Sequence, residues 1–260
     1  MTKTQDSRLD LPQAARLALQ CLDLTSLNDA DTAADVTALC ERAQTAFGPV
    51  AAVCVWPRFV AQARSMLPPE IKVAAVADFP DGALDLARAI ADIETIAQAG
   101  GDEVDVVLPW RALQAGQRSE VEEFLAEVRH ATRPLTLKVI IESGELADPE
   151  LIAEATRLSL AAGADFVKTS TGKTPVSATP EAARVMLREI AASGMASAGF
   201  KASGGIRSVL DAQGYLQLAA DALGADALQP RRFRFGASGL LKDIESVLSG
   251  QASQAVNSVY

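Results

Sequence analysis

Two stretches, QAGGDEVDVVLP at residues 98–109 and LAAGADFVKTST at residues 160–171, follow one plan. Each starts at the end of an amphipathic helical pattern, passes a glycine and an aspartate, and enters an apolar run. A glycine that closes a helix just ahead of a short, nearly continuous apolar run reads as the joint between a helix and a parallel strand covered on both faces. Working outward, similar runs recur along the chain: CLDLT (21–25), VAAVCVW (50–56), IKVAAVA (71–77), EVDVVLP (103–109), LTLKVIIES (135–143), DFVKTS (165–170), AGFKAS (198–203) and RFRFGAS (232–238). Between them lie helical patterns such as DTAADVTALCERAQTAF, ALDLARAIADIETIAQA, PELIAEATRLSLAA and PEAARVMLREIAAS. Asp148 before Pro149 and Thr179 before Pro180 are cap-then-proline helix starts. Eight β–α repeats in one domain predict an α/β fold, the (β/α)8 or TIM barrel, with an extra N-terminal helix. An open doubly wound sheet would use fewer strands over this length. The expected organisation is a single catalytic barrel over residues 1–248 and a mobile C-terminal tail over 249–260, where SGQASQAVNSVY is rich in Gly, Ser, Gln and Asn.

Composition narrows the chemistry. No apolar run reaches the roughly 18 residues of a membrane span, and the N-terminus has charges where a signal core would be apolar. A cytoplasmic location is therefore expected. The net charge of −9 argues against a nucleic-acid partner, which needs an excess of cations. Cys21, Cys40 and Cys54 have no metal spacing and an odd count, so they read as reduced thiols. His130, the one histidine, ends a polar helical pattern before Pro134 and reads as solvated. Acid–base work then falls to Lys, Asp, Glu, Tyr or bound water. With no His/Cys ligand set, neither a metal nor a cofactor is expected.

Among the charged residues in or at the ends of the strand runs, five stand out: Asp23, Asp105, Lys138, Lys168 and Lys201. A buried charge costs several kcal/mol unless paired. These residues are either a ring of salt bridges inside the barrel or a working site. Lys168 and Lys201 lie near the C-terminal ends of adjacent strands, where barrels carry their chemistry. Two close lysines disfavour each other's charge, and a lysine with a lowered pKa can attack a carbonyl to form an imine. Asp105 could pair with the lysine that stays protonated and carry a proton through water.

The loops after the sixth, seventh and eighth strands are STGKT, KASGGI and FGASG. Their glycines let backbone N–H groups approach an anion, and a following helix N-terminus adds its dipole. Gly172, Lys173, Gly204, Gly205, Gly236, Ser238 and Gly239 are thus candidate phosphate ligands. STGKT is not a P-loop, because Val167 occupies the position of the first glycine.

The segments DLTSLN, AAVCVWPRF, GGDEVDVVLPWRAL, LKVIIESGEL, AGADFVKTSTGK, GFKASGGIR and RFRFGASGLL resemble the deoxyribose-phosphate aldolases, class I lyases of the longer bacterial type. The resemblance implies reversible cleavage of 2-deoxy-D-ribose 5-phosphate to acetaldehyde and D-glyceraldehyde 3-phosphate through a lysine Schiff base. By matching motifs, Lys168 would form the imine, Lys201 would be the neighbouring ammonium, and Asp105 the proton relay. Asp23, Thr25 and Thr171 would line the sugar end, Cys54 would lie near the site, and Tyr260 would assist proton transfer from the tail. A homodimer is implied too. Three positions depart from the pattern: Asp81 replaces a common histidine, Gly239 a second serine, and Trp56 a tyrosine. The alternatives are a Schiff-base aldolase for another phosphorylated sugar, or a non-catalytic barrel that binds phosphosugars.

Overall fold

A computed structural model describes residues 9–253, so Tyr260 lies outside the described residues. Eight parallel strands close into a barrel: β1 (Leu22–Thr25), β2 (Ala52–Val55), β3 (Lys72–Ala77), β4 (Glu103–Val107), β5 (Thr136–Ile140), β6 (Phe166–Lys168), β7 (Gly199–Ser203) and β8 (Phe233–Ala237). Each pairs with its neighbours in chain order, and β8 returns to β1. All eight lie within the runs expected from sequence. The extra helix α1 (Leu11–Gln20) packs against α10 (Val209–Leu223) and α11 (Leu240–Leu248). No helix among the described residues is long and apolar enough to cross a membrane.

Strand parity divides the molecule radially. Leu22, Leu24, Val53, Val55, Val104, Val106, Leu137, Val139, Val167, Phe200, Phe233 and Phe235 point outward and join the main apolar cluster with the helices. Fully burying one such side chain contributes about 1.5–3 kcal/mol, so the fold's cohesion comes from this ring between sheet and helices. Alternate residues point inward, and among them Asp23, Glu103, Asp105, Lys138, Lys168, Lys201 and Arg234 are charged and buried.

Local chemistry sets the element ends. Asp148 and Thr179 cap α8 (Pro149–Ala161) and α9 (Pro180–Ala192), each with proline in the first turn. His130 is exposed in the last turn of α6 (Arg118–Thr132). The helical pattern read through Phe47 stops earlier: α2 covers Ala33–Arg42, and Gln44–Thr45 pairs with Gly48–Pro49 in a small hairpin. Gly48 turns with φ +123°, and the Thr45 hydroxyl donates to the Gly48 carbonyl at 2.7 Å. That turn outcompetes another helical turn.

Candidate active site

Register brings the charged residues together. Lys168 and Lys201 are paired across β6–β7, Lys201 and Arg234 across β7–β8, and Asp105 and Lys138 across β4–β5. Asp105 Oδ2 accepts from Lys168 Nζ and Lys201 Nζ, both at 2.7 Å, while its Oδ1 accepts from Lys138 Nζ at 2.7 Å. Asp23 Oδ2 accepts from Lys201 at 2.5 Å, and Asp23 Oδ1 accepts from Arg234. Glu103 completes the network with Lys138 at 2.5 Å and Arg234 at 2.7 Å. The ring of salt bridges therefore exists, and it contains both candidate lysines.

Its charges do not balance if all are ionised. Four cations (Lys138, Lys168, Lys201, Arg234) face three carboxylates (Asp23, Glu103, Asp105). Losing one proton neutralises the group, and Lys168 is the residue placed to lose it. Burial lowers the Lys168 pKa, and nearby Lys201 adds to the effect, against the pull of Asp105. Burial is the larger cause, where sequence reasoning stressed lysine–lysine repulsion. Lys201 goes the other way: despite burial it is raised by Asp105 and Asp23, the second carboxylate that Lys168 lacks. Lys138 is likewise raised, against its burial, by Asp105 and Glu103. Burial alone would raise the Asp105 carboxyl, but Lys138, Lys168 and Lys201 hold it well below the usual carboxylate range. Asp23 is lowered as well, with Arg234 the strongest of the cations that overcome its burial.

Above this layer, at the C-terminal ends of the strands, lies a cleft of about 490 Å³. Thr25, Ser203 and Gly236 line it, each two residues beyond Asp23, Lys201 and Arg234. Lys168, Lys201 and Asp105 do not line the cleft; they lie a layer beneath it. A Cβ at Gly236 would come within 2.7 Å of Ser203 Oγ and 3.1 Å of Lys201 Cε, so glycine keeps space open above the lysines. Thr171, Gly172, Lys173, Gly204, Gly205, Ser238 and Gly239 also line this cleft, which brings the three expected loops together. Gly204, at φ +87°, lets the second loop pass against Gly172 and Ser177. Gly239 is the N-cap of α11 and, having no side chain, brings no capping group of its own to a helix start that faces the cleft.

Cys54 is fully buried, and burial pushes its thiol up to about 11, so it is a neutral group. Its register with Thr25 puts it on the inward face of β2. The Thr25 hydroxyl donates to the Asp23 carbonyl at 2.9 Å. Trp56 donates through Nε1 to the Asn28 carbonyl at 3.0 Å and meets Phe79 edge-on. Asp81 is exposed near Arg88, 3.7 Å away, and does not line the cleft.

Sequence reasoning missed several residues. Glu103 and Arg234 lie two positions before Asp105 and Gly236, so strand parity alone points them inward. Arg207 and Lys242 add two cations to the cleft beside Lys173, with Asp243 also on the lining. This local excess is invisible in a chain of net charge −9. Glu142 is buried just beyond β5 and accepts from Thr171 Oγ1 at 2.5 Å.

Comparison with known proteins agrees with this geometry. The DeoC/LacD family aldolases match residues 17–246. The deoxyribose-phosphate aldolase of Agrobacterium fabrum is 48% identical over 241 residues, 92% of this chain and 93% of that protein. The tetrameric deoxyribose phosphate aldolase of Aeropyrum pernix superposes with a TM-score of 0.70 at 28% identity, covering 92% of this chain and 97% of that one. A crystal structure from Toxoplasma gondii, of a protein assigned as a deoxyribose-phosphate aldolase, superposes with a TM-score of 0.84 at 25% identity over 93% and 96%. With a closed barrel, two in-register lysines and a family match that takes in all eight strands, the chain belongs to the DeoC/LacD aldolase family.

Proposed function

We propose that this enzyme reversibly cleaves 2-deoxy-D-ribose 5-phosphate into acetaldehyde and D-glyceraldehyde 3-phosphate. The observation that carries the reading is the pair Lys168–Lys201 on one oxygen of Asp105, beneath a cleft lined by three glycine-bearing loops. The free amine of Lys168 attacks the aldehyde carbon, and loss of water leaves the imine. Removing the proton from the C3 hydroxyl breaks the C2–C3 bond; its electron pair moves into the imine to form an enamine. Protonating that enamine at C2 and hydrolysing the imine release acetaldehyde and regenerate Lys168. Lys201 supplies the fixed positive charge beside Lys168, and Asp105 orients both lysines and relays protons through water.

At the other end of the substrate, Lys173, Gly172, Gly204, Gly205, Gly236, Ser238 and Gly239 hold the phosphate, with Asp23, Thr25, Thr171 and Cys54 nearer the sugar. Tyr260 serves as a proton-transfer group on the 249–260 tail, with residues 1–248 as the catalytic unit. Ser253 Oγ donates to Asp243 Oδ2 at 2.6 Å, so the chain after α11 doubles back beside the cleft. Seven further residues can span up to about 24 Å. A homodimer rests on the family resemblance, and light scattering in solution tests it; a cytoplasmic location rests on the charged N-terminus and on apolar runs too short for a membrane span.

The deciding experiment is to treat the protein with acetaldehyde and borohydride and locate the adduct by mass spectrometry. It should sit on Lys168, and Lys168→Leu should abolish both adduct and cleavage while the fold persists. An adduct on Lys201 would overturn the assignment.

A further inference from the structure

Glu142 holds one of the least comfortable positions in the chain. It is fully buried and adopts φ +51°, ψ +57°, left-handed backbone that glutamate rarely takes. Such strain persists where the surroundings demand it, often beside functional sites. Burial raises its carboxyl pKa, an effect opposed by hydrogen bonds from Thr171.

The hydrogen bonds of its carboxylate reach the loop after β6. Thr171 Oγ1 donates to Glu142 Oε2 at 2.5 Å, and Thr171 N–H points at both carboxylate oxygens at 3.3 Å. Thr174 Oγ1 donates to Oε1 at 3.4 Å. The Thr171 hydroxyl in turn accepts from the Lys173 N–H at 3.0 Å. A continuous chain thus runs from Glu142 through Thr171 to Lys173. The same segments are braced again next door: Ser143 N–H donates to the Thr169 carbonyl at 2.8 Å, and a Cβ on Gly144 would lie 2.0 Å from the Val176 carbonyl oxygen.

We propose that Glu142 is a positioning residue for anion binding, which fixes Gly172 and Lys173 at the cleft by engaging Thr171. The inference deepens the phosphate-binding part of the proposed function and rests on it. It also narrows the role of Thr171: a hydroxyl that donates to Glu142 and accepts from Lys173 can meet a sugar hydroxyl only as an acceptor.

Two variants test it. Glu142→Asp keeps the charge and tolerates left-handed backbone, but its shorter side chain cannot reach Thr171. Glu142→Gln keeps the reach, with its amide oxygen toward Thr171 and its NH2 toward Thr174. Inorganic phosphate binding, measured by calorimetry, should weaken about tenfold in the aspartate variant and largely recover in the glutamine variant. The ratio of kcat/KM for 2-deoxyribose 5-phosphate to that for 2-deoxyribose should fall with it. Wild-type phosphate affinity in Glu142→Asp, or equal losses on both substrates, would overturn the proposal. Should the wild-type enzyme bind phosphate yet fail to cleave the phosphorylated sugar, the substrate assignment fails while calorimetry still decides the role of Glu142.

Discussion

Lys168 and Lys201 stand in register on adjacent strands and donate to the same oxygen of Asp105, yet only Lys201 also reaches Asp23. That asymmetry separates two chemically identical side chains. Lys201, bonded to two carboxylates, holds its proton more tightly, and Lys168, bonded to one and buried beside a fixed cation, holds its proton less tightly.

Replacing Lys201 with leucine removes that cation, so the Lys168 pKa rises. Each unit of rise costs about tenfold of free amine at neutral pH. The acidic limb of the pH–rate profile should move to higher pH, with activity at pH 7 down at least tenfold. An unmoved limb in the kcat/KM profile would count against electrostatic activation.

Lys173 borders the cleft with about a third of its side chain exposed, 3.8 Å from Asp29. Lys173→Ala should raise KM for 2-deoxyribose 5-phosphate roughly ten- to a hundredfold, the size of one charge-assisted contact. Unphosphorylated 2-deoxyribose should be affected far less. Equal losses in steady-state assays of both sugars would remove Lys173 from the phosphate site.

Asp78 follows β3 with φ +48°, buried, and neither carboxyl oxygen has a hydrogen-bond partner among the described residues. Arg88 lies 3.8 Å away, while Asp81, Asp85 and Asp92 surround it. Burial, opposed by Arg88, pushes its carboxyl up to about 7 from 3.8. The folded chain therefore holds this proton more tightly than the unfolded chain. The stability it contributes is complete below about pH 4 and is lost as pH rises toward 7. Asp78→Asn should stabilise the protein by about 1–3 kcal/mol at pH 8 and much less at pH 4. Urea denaturation at both pH values checks this, and an equal change at both would rule out the buried carboxyl as its source.

Tyr260 lies beyond the described residues, and its role turns on the phenol. Tyr260→Phe should slow turnover and exchange of the acetaldehyde methyl protons about tenfold or more, the scale of general acid–base assistance. Proton exchange followed by NMR at the wild-type rate would leave the hydroxyl without a chemical part.

The sequence was most legible where one residue has one job. Apolar strand runs, capped helix starts and the closing glycines Gly100 and Gly163 each follow from local physics, and each stands where it was expected. Lys168, Lys201 and Asp105 could be read because a charge inside an apolar run is costly anywhere. Arg234 and Glu103 were harder: they share that signal, but they lie toward the N-terminal half of the barrel, where no chemistry was sought. Glu142 went unread, because a charge at the end of the run LTLKVIIES looks like a strand's ordinary exit to solvent. Its meaning comes from Thr171, 29 residues away in sequence, which only folding brings within reach. The Gln44–Pro49 hairpin escaped because its threonine-to-glycine bond competes locally with a plausible helix.

The alternation of outward apolar and inward ionic residues has a bearing on how this barrel could change. Cohesion depends on one set of strand positions and reactivity on the other, so selection can rewrite the interior while the scaffold stays untouched. Exchanges among Lys138, Glu103 and Arg234 would have to come in matched pairs, since a lone buried charge costs about 3–5 kcal/mol. The loops above are free of that rule. New substrates are thus more accessible to this lineage through its rim than through its floor.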